Sequence, residues 1–156
     1  MKKYWAMMGM AVVAFAAMLP VLAEEKKAET AEPKWHENFE EAKALAKKEN
    51  KPLLLDFTGS DWCPPCKQLK AKVFDSAEFK EWAAKKVVLV ELDFPRSKEQ
   101  PEAIKQQNAK LAKEFKIRGY PTVIILDAEG KERARQVGYS GAKPADWIKK
   151  IEADAK

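Results

Sequence analysis

The stretch Leu53-Leu54-Leu55-Asp56-Phe57-Thr58-Gly59-Ser60-Asp61-Trp62-Cys63-Pro64-Pro65-Cys66-Lys67 carries most of the structural information in this 156-residue chain. Its first five residues form a short apolar run, and Thr58 to Asp61 supply turn chemistry, a pattern that predicts a buried central strand. A helix is expected to open at the cysteines. Pro64 and Pro65 then fall in its first turn, where a missing N–H costs least. A cysteine at a helix start meets unpaired N–H groups and a partial positive charge, both of which favour the thiolate. Cys63 is therefore expected near the surface as the attacking sulfur. Cys66, one turn on and more covered, is expected to resolve the mixed disulfide that forms.

Cys63 and Cys66 are the only cysteines. In an oxidising compartment paired cysteines usually act as structural staples. A staple across so short a loop of about four residues restricts the unfolded chain only slightly, so reinforcement is a poor use of the pair. Redox chemistry is the better one. The pair also resembles half a zinc site, but the only histidine is His36 and no third cysteine exists. Neither metal nor other cofactor is expected, a carboxylate-completed metal site being the alternative.

Outward from the motif, helical spacing begins at Trp35 and runs through Phe39, Ala42, Leu45 and Ala46 until Asn50-Lys51-Pro52 stops it. His36 is read as a surface or capping residue at that helix start. Beyond the cysteines, Leu69, Val73 and Phe74 continue an inner face. Asp75 with Glu78 three positions on resembles a capping box for a helix carrying Phe79 and Trp82. Residues 87–92 read as a second buried strand, and Pro101 starts a helix with Ile104, Leu111, Ala112 and Phe115 inward. Residues 122–126 and 132–137 form a hairpin about Asp127-Ala128-Glu129-Gly130. A last helix from Pro144 buries Trp147, Ile148 and Ile151. Alternating helices and strands followed by a hairpin predict an α/β domain: a central mixed β-sheet flanked by helices.

Hydrophobic residues make up 46% and charged residues 34%, a globular balance. The net charge of +5 includes Lys2 and Lys3; the remainder of the chain has 27 basic against 24 acidic side chains. These alternate in sign along helices, as a solvated surface does, and no Lys/Arg face is interleaved with aromatics, so nucleic acid is excluded as a partner. Lys2-Lys3, an uncharged apolar run over residues 4–22, Pro20 and the small residue Ala23 follow the pattern of a signal peptide over residues 1–23, cleaved after Ala23. An uncleaved membrane anchor is the alternative. Residues 24–34 read as a disordered linker and residues 35–156 as the domain. The mature form is expected to be periplasmic or otherwise exported, and not embedded in a membrane.

Asp56-Phe57, Trp62-Cys63-Pro64-Pro65-Cys66-Lys67 and Gly119-Tyr120-Pro121-Thr122 together resemble the thioredoxin superfamily over residues 36–152. The chain looks most like periplasmic thioredoxin-like domains, including the C-terminal domain of the membrane thiol–disulfide interchange protein. Those carry a leading helix, a Val-Phe pair after the motif and a Gly-aromatic pair after the hairpin, here residues 36–50, Val73-Phe74 and Gly138-Tyr139. The resemblance implies a thioredoxin fold with an extra N-terminal helix. It implies protein disulfide substrates, and a membrane or periplasmic electron donor. Pro121 matches the family's cis-proline facing the cysteines, which leaves the backbone of Tyr120 free to pair with an extended substrate. Asp56 matches a buried carboxylate below the second cysteine that takes or relays its proton; a carboxylate on an apolar strand has a raised pKa, as that role needs. A simple hydrogen bond to a loop is the alternative for Asp56. Trp62 frames the nucleophile or merely packs.

Two departures from the family stand out. Glu91 occupies the position where members often carry a lysine near that carboxylate, so one of Asp56 and Glu91 resists ionisation if they face each other. The segment from Phe94 to Gln107 is longer than in plain thioredoxins, which is expected to extend a surface helix or to serve partner choice. The two prolines favour reduction, because fewer N–H groups stabilise the Cys63 thiolate and hence the reduced form. The expected function is an exported thiol–disulfide oxidoreductase working as a reductase. A redox-inert binding module presenting Tyr120, Pro121 and Trp62, or an isomerase, are the alternatives.

Overall fold

The computed structural model describes residues 32–156. The expected signal peptide and most of the expected linker lie outside the described residues. The elements are β1 (Trp35–His36), α1 (Phe39–Glu49), β2 (Leu53–Thr58), α2 (Pro64–Leu69), α3 (Ala77–Lys86), β3 (Val88–Asp93), α4 (Glu102–Glu114), β4 (Thr122–Leu126), β5 (Glu132–Val137) and α5 (Pro144–Asp154). One π-helical stretch, Lys70–Phe74, prolongs α2. The strands form a single sheet in the order β1-β3-β2-β4-β5. β2 runs parallel to β3 and antiparallel to β4, and β4 pairs antiparallel with β5. The sheet is mixed, with helices on both faces, as the sequence pattern predicts.

Strand periodicity divides the core in two. Leu53, Leu55 and Phe57 point to the face covered by α1 and α4, where they meet Phe39, Ala42 and Leu111. Leu54 points to the opposite face, against Leu69, Phe74, Phe79, Trp147 and Ile151 from α2 and its extension, α3 and α5. β2 is buried along its whole length, which explains a run with almost no polar residue. Asp56 and Thr58 are the exceptions. The same alternation puts Asp56 on the Leu54 face, beneath α2.

Three local expectations are corrected. Trp35-His36 is not the start of a helix: it is an edge strand, parallel to β3 with Trp35 opposite Leu89. Trp35 packs on Phe74 and Phe79, at ring-centroid distances of 5.0 and 6.4 Å, so sheet pairing and aromatic burial override the helical spacing. His36 therefore caps nothing, and Asn38 accepts the N–H of Glu41 as the cap of α1. α3 is capped by Ser76, whose Oγ accepts the N–H of Phe79 at 3.2 Å, while Asp75 pairs with Lys70 instead. The helix expected from Pro101 is α4, with Pro101 as its N-cap, and residues 94–101 ahead of it form a loop.

Candidate active site

α2 begins directly at the cysteine pair. Cys63 is its N-cap, in an extended conformation, and Pro64 and Pro65 fill the first two helical positions. Neither proline has an N–H to offer. The Cys63 sulfur consequently takes the next available donor, the N–H of Cys66, at 3.3 Å. The two cysteines are joined as a disulfide with their Cα atoms 5.3 Å apart. Both are buried, at 3% and 4% exposure. The expectation of an open Cys63 over a covered Cys66 is thus corrected for this oxidised form, in which both cysteines are covered alike.

The loop ahead of the pair is tightly turned. The N–H groups of Trp62 and Cys63 both reach the Gly59 carbonyl, at 3.2 and 2.9 Å. A Cβ on Gly59 would lie 2.4 Å from the Trp62 ring, so a glycine is what lets the indole fold back over this turn. The indole N–H donates to the Phe94 carbonyl at 2.8 Å. Tyr120 meets the Trp62 ring edge-on at 5.7 Å and Phe94 at 5.3 Å. The Tyr120-Pro121 bond is cis. Among the described residues no hydrogen bond engages the main chain of Tyr120, while Pro121 already accepts from the Gly138 N–H. Trp62, which directly precedes Cys63, thus meets Tyr120, the residue cis-linked to Pro121.

Below the pair, Asp56 is 7% exposed, and its Oδ1 has no hydrogen-bond partner among the described residues. It lies in register with Glu91 of β3, so both carboxylates stand on the same face. A cavity of about 50 Å³ connects Asp56 and Glu91 with Cys66, Lys67 and Lys70. It is large enough to admit water between the carboxylate and the sulfur. Burial first, and then the charges of Glu91 and Asp93, push the Asp56 carboxyl well above the ordinary range. Burial and Asp93 also raise Glu91, which Lys70 partly opposes. Glu91 faces Asp56.

Sequence reasoning missed the loop that closes this site. Asp93 accepts from both the N–H and the hydroxyl of Ser60, at 2.8 and 2.5 Å. Asp61 accepts the N–H groups of Arg96 and Ser97, at 3.0 and 2.6 Å. The Arg96 guanidinium lies 3.9 Å from the centroid of the Trp62 ring. The only warning in the sequence is the length of the segment after Phe94. Among the described residues, no cluster of three or more His, Cys, Asp or Glu side chains is arranged to hold a metal, and no helix is long and apolar enough to cross a membrane.

The model of a thioredoxin-like domain family matches residues 39–153, nearly all of the described chain. The chain belongs to the thioredoxin-like family. It is 38% identical over 120 residues to the disulfide bond reductase DsbH of Chlamydia pneumoniae, covering 77% of this chain and 72% of that protein. It is 34% identical over 123 residues to the thioredoxin-related protein DsbJ of the same organism, covering 79% of this chain but only 35% of DsbJ. The match to the thiol:disulfide interchange protein DsbD of Klebsiella pneumoniae, at 30% identity, spans 60% of this chain and 14% of the relative. The solved structure of a DsbH oxidoreductase superposes with a TM-score of 0.76 at 34% identity, over 86% of this chain and 92% of that one. The oxidised C-terminal domain of Neisseria meningitidis DsbD superposes at 0.55 with 21% identity, over 74% of this chain and 90% of that one, a likeness of fold. With its disulfide-bonded Cys-x-x-Cys pair at a helix start, this family member is a thiol–disulfide oxidoreductase.

Proposed function

We propose that the protein is an exported reductase of protein disulfides. The observation that carries the direction is the capping of the Cys63 sulfur by a single N–H, that of Cys66, because Pro64 and Pro65 have none. A thiolate with few donors is weakly stabilised, the reduced form is correspondingly less favoured, and the couple gives up electrons more readily. The reductase name of the Chlamydia pneumoniae relative points the same way.

The reaction starts from the dithiol. The Cys63 thiolate attacks one sulfur of the client disulfide, and that bond breaks as the mixed disulfide forms and the first client thiolate leaves. Cys66 then loses its proton to Asp56 through the cavity, attacks the Cys63 sulfur and expels the second client thiolate. Two electrons pass to the client, and the two thiol protons end on its sulfurs. Asp56 suits this role because its raised pKa makes it a stronger base than an ordinary carboxylate. Trp62, Tyr120 and Pro121 hold the client, whose extended backbone pairs with the open main chain of Tyr120. The electrons are restored by a membrane or periplasmic donor. Residues 1–23 serve as the signal peptide, cleaved after Ala23, and residues 24–34 as a spacer before the domain.

Equilibration with a glutathione or dithiothreitol couple tests the direction. A potential near thioredoxin's value of about −270 mV is expected, and one as oxidising as about −120 mV overturns the reductase reading. Cys66→Ser should accumulate mixed disulfides with exported proteins; recovering none would remove the support for an enzyme acting on proteins.

A further inference from the structure

The rim beside Cys63 carries a cationic feature that disulfide chemistry does not itself require. Arg96 comes from the loop after β3, yet its guanidinium is stacked on Trp62, the residue that precedes the nucleophile. Both ends of this arginine are fixed. Its main-chain N–H is held by Asp61, and the ring it lies on is held in turn by the Phe94 carbonyl. A guanidinium stacked by its face keeps its in-plane N–H donors available in a planar fork suited to carboxylates. Among the described residues none of those donors meets an acid: Arg96 takes part in no ion pair.

Two lysines stand near it. Lys67 donates to the Asp61 carbonyl at 2.9 Å and also makes no ion pair among the described residues. Lys98 donates to Ser60 Oγ at 2.9 Å, sharing that hydroxyl with Asp93. The two acids of the rim are already engaged, Asp61 by the N–H groups of Arg96 and Ser97, Asp93 by Ser60. These bonds leave both carboxylates negative, so the rim sets three cations, Arg96, Lys67 and Lys98, against two acids, and the guanidinium stacked on Trp62 is the charged group whose donors stay open to an arriving client among the described residues. An arginine already ordered loses little rotamer freedom on binding.

We propose that this rim selects clients with acidic residues beside the disulfide: the Arg96 guanidinium, backed by Lys67, binds a client carboxylate while Trp62 and Tyr120 border the attacked bond. This rests on the reductase reading above and adds to it the charge of the preferred client. Arg96 acts on binding and not on the sulfur chemistry, so its effect appears as substrate preference.

The test uses the full chain, reduced beforehand, and two cyclic disulfide peptides identical except for Asp or Lys on either side of the cysteines. The second-order rate constant for peptide reduction is read by acid quenching and chromatography. The acidic peptide should react about fivefold faster at low salt, as expected for one or two partly exposed ion pairs, with the preference shrinking at high salt. Arg96→Gln should bring the ratio to twofold or less, Arg96→Glu should take it below one, and Arg96→Lys should retain part of it. Equal rates for the two peptides with the unaltered protein, or a preference that survives Arg96→Gln, overturns the proposal alone. Failure to reduce either peptide overturns the reductase reading along with it.

Discussion

Asp56 is a carboxylic acid on a strand whose neighbours are almost all hydrocarbon, and its cost to the fold depends on pH. Its carboxyl is raised well above the ordinary range, chiefly by burial and then by Glu91 and Asp93. The folded chain therefore holds this proton more tightly than the unfolded chain does. The stability that follows is fully present below the ordinary carboxylate pKa of about 4, and is lost as pH rises toward the higher folded value. Glu91, also raised, contributes with the same sign. Asp56→Asn should flatten this decline and leave the oxidised protein more stable than the unaltered chain at pH 8, by about 1–3 kcal/mol, as measured by urea denaturation across pH. The same variant should slow resolution of the mixed disulfide on the order of 10²-fold, since the base for Cys66 is gone. A stability profile identical to that of the parent chain would mean that Asp56 ionises freely in the fold.

At the scale of elements, the start of α2 determines how the reactive sulfur is held. A helix leaves its first N–H groups without partners, and an N-cap side chain ordinarily takes a bond from the second or third helical residue. Here the second is Pro65, so only Cys66 can donate. Pro65→Ala restores the missing donor while keeping a residue that suits a helix start. A hydrogen bond to a charged group contributes roughly 1.5–3 kcal/mol, of which part stabilises the reduced form. The reduction potential should rise by about 30 mV, and the thiolate should appear at lower pH in its ultraviolet absorbance. An unchanged potential would show that the prolines do not set the direction of the couple.

For the whole molecule, the sheet is a wall with a core on each side, and β2 is its centre. Leu54 is fully buried and packs among the aromatic residues beneath α2 and α3. Leu54→Ala leaves a cavity that close-packed rings fill poorly, and should cost about 2–5 kcal/mol in chemical denaturation. A loss below 1 kcal/mol would mean that the aromatic cluster collapses into the space. The sequence by itself determined the strands β2 to β5 and the cysteine pair at a helix start. Each of these follows from consecutive residues: a period of two, an apolar run, a ring that removes an N–H. Tertiary structure alone decided that Trp35 joins the sheet edge, that Ser76 and not Asp75 caps α3, and that Glu91 faces Asp56. It alone brought Arg96 onto Trp62, across 34 positions of chain. These contacts depend on strand register and on the path of the loop after β3, which are fixed by packing across the whole domain and leave no local period in the sequence.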